Sequence, residues 1–268
     1  MSIAEITEIT EIIDLKKLEE NKDALRDEFR ARMPFRWLVM EDFLTPQAAQ
    51  AIYDEYPKVD QTWVDTNGLR QKNKWTKAAE TGSLAGAFYE EVNSPTFRTL
   101  LEEITGIEKV LPDSDLFGAG YHQILDGGFL DVHVDFNKHE GTGLDRRMNL
   151  IVYLNPNWGD NYGGELELWD MDKKVELASV APTFNRCVLF ETNEVSYHGH
   201  PRPLKTGGKS TRKSLSVYYY TKGRNDGHDV PWHNTRHVNT DGLAGNVKVL
   251  GNGVAETIRR LKTRGSLR

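Results

Sequence analysis

Residues 129–135 read Phe129-Leu130-Asp131-Val132-His133-Val134-Asp135. Apolar and polar side chains alternate along the second half of this stretch, the period of a strand with one buried face. Working outward, similar short segments follow at 117–125, 147–154, 164–169, 174–180, 186–191, 195–199 and 213–221. Turn signals separate them at Gly127-Gly128, Asn155-Pro156, Gly163-Gly164 and Asp170 to Asp172. Many short strands at this spacing predict an antiparallel sandwich or barrel.

The residues before this core have another texture. Isoleucine at 3, 6, 9, 12 and 13 forms a helical stripe. Leu15, Leu18, Leu25 and Phe29 predict an amphipathic helix over 15–32 that stops before Pro34. Residues 35–40 read as a strand. Thr45-Pro46 and Ser94-Pro95 each pair a capping side chain with proline in the first helical position, predicting helices to Tyr56 and to Gly106. A further helix is expected over 84–92, and Asn67-Gly68 marks a turn in a polar stretch. Beyond Tyr220 the chain is irregular, closing with a helix near 254–262. The fold class is α+β with a mainly β core. It reads as one unit, with helical support over 1–110, the β core over 115–222 and a capping segment over 223–268.

The chain has 268 residues, 38% hydrophobic and 28% charged, with a formal charge of -6 and a pI near 5.8. There is no basic footprint for nucleic acid and no apolar run long enough to span a membrane. The lone Cys187 sits in an apolar run, excludes an intramolecular disulfide and fits a reducing compartment. The Met1-Ser2-Ile3-Ala4-Glu5 start shows no targeting signal, so the expected location is cytoplasmic. The oligomeric state is left open, a homodimer included.

In a strand, positions i and i+2 share a face, so His133 and Asp135 can reach one metal ion. Two histidines and one carboxylate leave three coordination positions free, as in non-haem Fe(II) oxygenases. With 8 histidines and 40 acidic residues in the chain, that pair alone also arises by chance. The third ligand must come from a later strand, either His198 or His200. Arg212 and Ser214 share a face of the last strand. The arginine fork suits bidentate binding of a carboxylate, such as the far end of a dicarboxylate chelated to the metal. Lys213 points the other way.

These segments resemble the Fe(II)/2-oxoglutarate dioxygenase superfamily, and within it the prolyl-hydroxylase-like branch. The resemblance covers Tyr121 to Tyr220. It runs through His133-x-Asp135, Leu150-Ile151-Val152-Tyr153-Leu154-Asn155, Gly163-Gly164-Glu165-Leu166-Glu167-Leu168, Val188-Leu189-Phe190, His198 and Arg212-x-Ser214-Leu215-Ser216-Val217-Tyr218-Tyr219. It implies a double-stranded β-helix, a jelly-roll or cupin-like barrel. It selects His198 over His200, so His133, Asp135 and His198 would hold Fe(II), with 2-oxoglutarate and O2 as co-substrates. By the same comparison Tyr153 would bond 2-oxoglutarate beside Arg212 and Ser214, and Tyr121 would line the pocket. Halogenating relatives replace the carboxylate ligand; Asp135 is present, which implies hydroxylation.

Substrate choice is expected outside the core, in 63–75, in the loop 136–147 and in the tail 223–239. Asn149, Arg224 and Trp232 are the candidate substrate-binding residues. His233 and His237 have helical metal-pair spacing, but Pro231 and Asn234-Thr235 argue against a helix. The expected activity is hydroxylation of a small molecule. The alternatives are a peptidyl prolyl-type hydroxylase and a cupin-like metal-binding protein without turnover.

Overall fold

The computed structural model describes residue 9 and residues 11–113 and 115–238. Two short helices, α1 (Leu15–Glu20) and α2 (Lys22–Ala31), replace the single helix expected over 15–32 and meet at Asn21. The longer helices α3 (Pro46–Asp54), α4 (Leu84–Val92) and α5 (Pro95–Thr105) each begin behind a hydroxyl cap, on Thr45, Ser83 and Ser94 respectively. Each cap accepts a backbone N–H that the first turn leaves without a partner.

Among the described residues eleven strands are joined by hydrogen bonds: β1 (Trp37–Met40), β2 (Val64–Asp65), β3 (Gln71–Lys77), β4 (Gly120–Val134), β5 (Asp145–Tyr153), β6 (Leu166–Asp170), β7 (Val175–Val180), β8 (Arg186–Glu191), β9 (Tyr197–His200), β10 (Arg212–Thr221) and β11 (Arg236–His237). The main path runs β1-β8-β5-β10-β4-β9-β6-β7. It curls into a nearly closed barrel, the double-stranded β-helix.

The expected turn at Gly127-Gly128 is instead a bend inside one long strand, β4. Its first half pairs with β10 and its second half with β9, so the strand passes from one sheet of the barrel to the other. Gly127 is left-handed (φ 72°). A Cβ on Gly128 would fall 2.4 Å from Ile124 Cγ2 and 2.9 Å from Lys72 O, so the bend needs glycine.

The polar stretch around Asn67-Gly68 is a hairpin, β2–β3, and β3 runs beside both halves of β4. Its sequence, Gln71-Lys72-Asn73-Lys74-Trp75-Thr76-Lys77, lacks the apolar alternation that marks a strand. Ile12 and Ile13 are extended, not helical. Ile13 bridges Leu44, and the Ile12 N–H donates to Glu91 at 3.1 Å. Most of the stripe over 3–13 and the helix expected near 254–262 lie outside the described residues.

One core packs the helices against the outer face of the sheet, with Phe88, Phe97 and Leu101 against Leu150, Val152, Leu215, Val217 and Tyr219. A second lies between the two sheets, around Tyr153, Leu166, Leu168, Val188 and Phe190. The alternation of β10 thus divides its side chains. Leu215, Val217 and Tyr219 face the helices, while Arg212, Ser214, Ser216 and Tyr218 face a cavity inside the barrel. Cys187 is fully buried in the helix-side core.

Candidate metal centre and co-substrate pocket

His133 ends β4 and is the cross-strand neighbour of His198 on β9. That register holds because Gly199 lets the strands close up. A Cβ there would sit 2.9 Å from Leu130 O and 2.9 Å from Val132 Cα. Asp135 follows β4 and completes a triad whose ligand atoms all lie within 4.8 Å of one another. Its two oxygens stand 3.5 Å from His133 Nε2 and 3.5 Å from His198 Nε2.

The tautomers follow from the backbone. His133 Nδ1 lies 2.9 Å from Asp131 O, and His198 Nδ1 lies 3.0 Å from Ser196 O. A carbonyl only accepts, so each Nδ1 carries the proton and each Nε2 presents a lone pair to the centre. Burial, reinforced by His133, draws the His198 pKa down to about 4, so this imidazole is neutral at physiological pH. The donor set of two neutral nitrogens and one carboxylate fits a ferrous ion.

Asp135 is aimed by two side chains of β5. Asn149 donates to its Oδ2 at 2.7 Å, and Arg146 Nη2 lies 3.0 Å from the same oxygen. Arg146 is only 1% exposed; it also donates to Asn149 Oδ1 at 2.7 Å and stacks 3.4 Å over the Tyr218 ring. Burial would raise the Asp135 pKa, but Arg146, His198 and His133 together outweigh it and hold the carboxyl well below its usual range.

Beyond the triad the cavity is closed by Arg212, Ser214, Ile151, Leu166 and His200. Its volume of about 80 Å³ holds a few waters, a space for a small co-substrate. Arg212 is placed by two bonds. Its Nε donates to Gly164 O at 2.7 Å and its Nη2 to Tyr153 Oη at 3.0 Å. Tyr153 and Ser214 are cross-strand partners. Lys213 points outward over the Tyr53 and Tyr56 rings, as the alternation requires. His200 stands apart from the triad, and neither of its ring nitrogens has a hydrogen-bond partner.

Three expected placements, those of Tyr121, Arg224 and Trp232, need correction. The Tyr121 ring faces the helices, 4.9 Å from Tyr56 and 6.3 Å from Trp63. The parity of β4 puts His122 and Ile124, not Tyr121, into the cavity. Asn149 does face inward, but it orients Asp135. Arg224 donates to Asp226 at 2.7 Å and borders a different cavity beside Gly106 and Lys109. Trp232 is 43% exposed and does not line the metal cavity. In each case the residue type was right for binding, and the tertiary partner or strand parity decided its place.

Two cavity residues, Arg146 and Lys74, were not singled out from the sequence. Arg146 stands out in hindsight as a charge inside a strand whose other residues are buried. Lys74 enters from β3. His237 lies on β11 as the cross-strand neighbour of His133, with its ring centroid 5.2 Å away. Burial holds its pKa near 3. The tail before it is fastened by Glu194, which accepts from His233 at 2.8 Å and pairs with Arg236. Among the described residues no helix is long and apolar enough to cross a membrane.

Residues 119–220 match the sequence profile of the 2OG-Fe(II) oxygenase superfamily. Among curated proteins, the mouse prolyl 3-hydroxylase OGFOD1 is 26% identical over 196 residues, which cover 70% of this chain and 33% of that protein. Its Xenopus laevis counterpart is 30% identical over 128 residues, 46% of this chain and 23% of that protein. This chain therefore spans at most a third of the curated relatives it matches first. Among solved structures, a Trichoplax adhaerens prolyl hydroxylase bound to a hypoxia-inducible-factor peptide fragment superposes with a TM-score of 0.56 at 18% identity, covering 77% of this chain and 91% of that one. A Pseudomonas putida prolyl-4-hydroxylase gives 0.55 at 17% identity, covering 74% of this chain and 100% of that one. Both share the fold.

Proposed function

Because this chain belongs, through residues 119–220, to the 2OG-Fe(II) oxygenase superfamily and its prolyl-hydroxylase-like branch, we propose that it is a 2-oxoglutarate-dependent dioxygenase that hydroxylates a prolyl residue of a peptide or protein. The observation that carries the reaction class is the meeting of His133, Asp135 and His198 with Arg212, itself held by Tyr153, in one buried cavity. The prolyl assignment rests on the two curated relatives, and it is better supported than the small-molecule substrate expected from the sequence. A metal-binding protein without turnover would have no use for the Arg212–Tyr153 pair.

His133, Asp135 and His198 would hold the iron. With 2-oxoglutarate and O2, iron would supply the oxidising power for C–H hydroxylation, leaving succinate and CO2. The protein's own residues do the positioning. Arg212 would grip the distal carboxylate of 2-oxoglutarate, and the Tyr153 and Ser214 hydroxyls would complete that seat. Asn149 and Arg146 keep the Asp135 carboxylate ionised and turned to the centre. Ile151 and Leu166 keep water from the co-substrate. No protein acid or base is needed for the C–H step, so ligation and orientation are the protein's share.

The test is an anaerobic titration with Fe(II) and 2-oxoglutarate. The expected result is a weak visible charge-transfer band. Correctly folded protein that shows no band would remove the oxygenase reading. For the substrate class, proline-containing peptides should gain one oxygen in mass, with succinate formed in step. Succinate formation driven by a free amino acid and by no peptide would return the assignment to a small-molecule hydroxylase.

A further inference from the structure

We propose that Lys74, with His200, forms a seat for an acidic side chain of the primary substrate. This deepens the oxygenase reading and rests on it. Lys74 and Arg212 are both cross-strand partners of Ile124, so the three stand in one row across β3, β4 and β10. Both cations open onto the metal cavity. With adjacent strands ~4.8 Å apart, the two backbones are roughly 10 Å apart.

Their circumstances differ. Arg212 is turned toward β5 by its bonds to Tyr153 and Gly164. Among the described residues, no hydrogen bond or ion pair reaches the Lys74 ammonium. Burial draws its pKa down to about 8, against the pull of Asp135 and helped by Arg212 and Arg146. A cation left in that state favours an anion.

The charges of the loaded site leave such an anion wanting. Asp135 is matched by Arg146. The two carboxylates of 2-oxoglutarate would face the ferrous ion and Arg212. Lys74 then has no counterpart, and the site as a whole stays positive. His200 opens onto the same cavity, 3% exposed, with both ring nitrogens unpartnered. Its two nitrogens are therefore open to a hydrogen bond with the anion.

Position separates this seat from the co-substrate grip. Every residue assigned to iron or 2-oxoglutarate lies within 119–220, the segment shared with the superfamily. Lys74 lies outside it, on a hairpin laid along the edge of β4. The shared segment accounts for the common chemistry, and a cation brought in from outside it suits selection of this chain's own substrate. The acceptor is a carboxylate, on an aspartate or glutamate near the target proline.

The protein loaded with Mn(II) and 2-oxoglutarate under argon, where no turnover occurs, would be offered a pool of short peptides. Each has one proline and carries Glu, Gln or Lys at the flanking positions. Wild type should retain Glu peptides at least about tenfold better than their Gln counterparts, as expected for a charge-assisted bond. Lys74→Met should abolish that preference, and Lys74→Glu should shift it to Lys. The 2-oxoglutarate affinity of Lys74→Met should match wild type.

Equal retention of Glu and Gln peptides by wild type, or no retention at all, overturns the proposal. So does a tenfold loss of 2-oxoglutarate affinity in Lys74→Met, which would make the ammonium part of the co-substrate grip. The charge-transfer band of wild type separates the two levels. With the band present and no Glu preference, only the acidic seat fails; with the band absent, the oxygenase reading fails with it.

Discussion

The two walls of the metal cavity are built on different rules. In the wall made by β4, β5, β9 and β10, the triad side chains and Arg212 are each aimed by a neighbour, with His200 on β9 the exception. His133 and His198 are held by carbonyls, Asp135 by Asn149 and Arg146, and Arg212 by Tyr153 and Gly164. On the side of β3, with the tail packed beside it, no hydrogen bond or ion pair among the described residues reaches the Lys74 ammonium or His237 Nδ1. The first wall is organised before any ligand arrives, as reactions that depend on orientation require. The second leaves its polar groups to be satisfied by what binds. Perturbing the first should remove chemistry, and perturbing the second should change what is accepted.

The sharpest break of that contrast is His133→Ala. It removes one of the three proposed ligands, and the charge-transfer band with Fe(II) and 2-oxoglutarate should vanish while far-UV circular dichroism is kept. A band of wild-type strength would show that the triad is not the centre. Next comes Arg212→Met, which would leave the dicarboxylate without its proposed ion pair. The expected loss is about 2–5 kcal/mol of 2-oxoglutarate binding, read as a right-shifted titration of the same band. An unchanged midpoint would move the grip elsewhere.

Acid should probe the organised wall as a whole. Burial lowers the pKa values of His122 to about 3 and His198 to about 4, and holds His200 well below the usual value. Between pH 6.5 and 4 the unfolded chain therefore binds protons that the folded chain refuses. Stability is full above pH 6.5 and falls as pH drops through this window, by about 1.4 kcal/mol per pH unit for each such proton. Thermal melts of metal-free protein should show the decline. A flat melting temperature from pH 7 to 4.5 would mean these histidines are not buried neutral.

A smaller effect is expected from Asn149→Ala. Asp135 keeps Arg146 but loses the bond that fixes its rotation, so metal affinity should fall roughly 10–100-fold. Competition with a metallochromic chelator would measure it. An unaltered affinity would leave Arg146 as the sole orienting partner.

How much of this was readable beforehand follows the same division. Strand parity in His133-x-Asp135 and Arg212-x-Ser214, with their order along the chain, located the organised wall, because period-2 alternation fixes which side chains share a face. It did not locate the other wall. β3 is too polar to read as a strand, and it is held by pairing with β4. The bend at Gly127-Gly128 looked like a turn because glycine marks both. Tyr121 was misplaced by a single residue of register, which in a strand exchanges core for cavity. Asn149 was read correctly as inward-facing, yet its partner on another strand was beyond any local pattern.

The least of the expected effects belongs to the tail. β11 adds to the end of β4 and sets His237 against His133, and Glu194 fastens it through His233 and Arg236. Arg236 is half exposed, and ion pairs with an exposed partner contribute at most about 1 kcal/mol. Glu194→Gln should therefore leave the metal and 2-oxoglutarate titrations in place, since no ligand touches Glu194. If the tail belongs to the selecting wall, the same change should alter the KM for a peptide substrate by no more than about fivefold. A large loss of metal affinity in Glu194→Gln would instead make the tail part of the organised wall, with His237 supporting His133 from the open side.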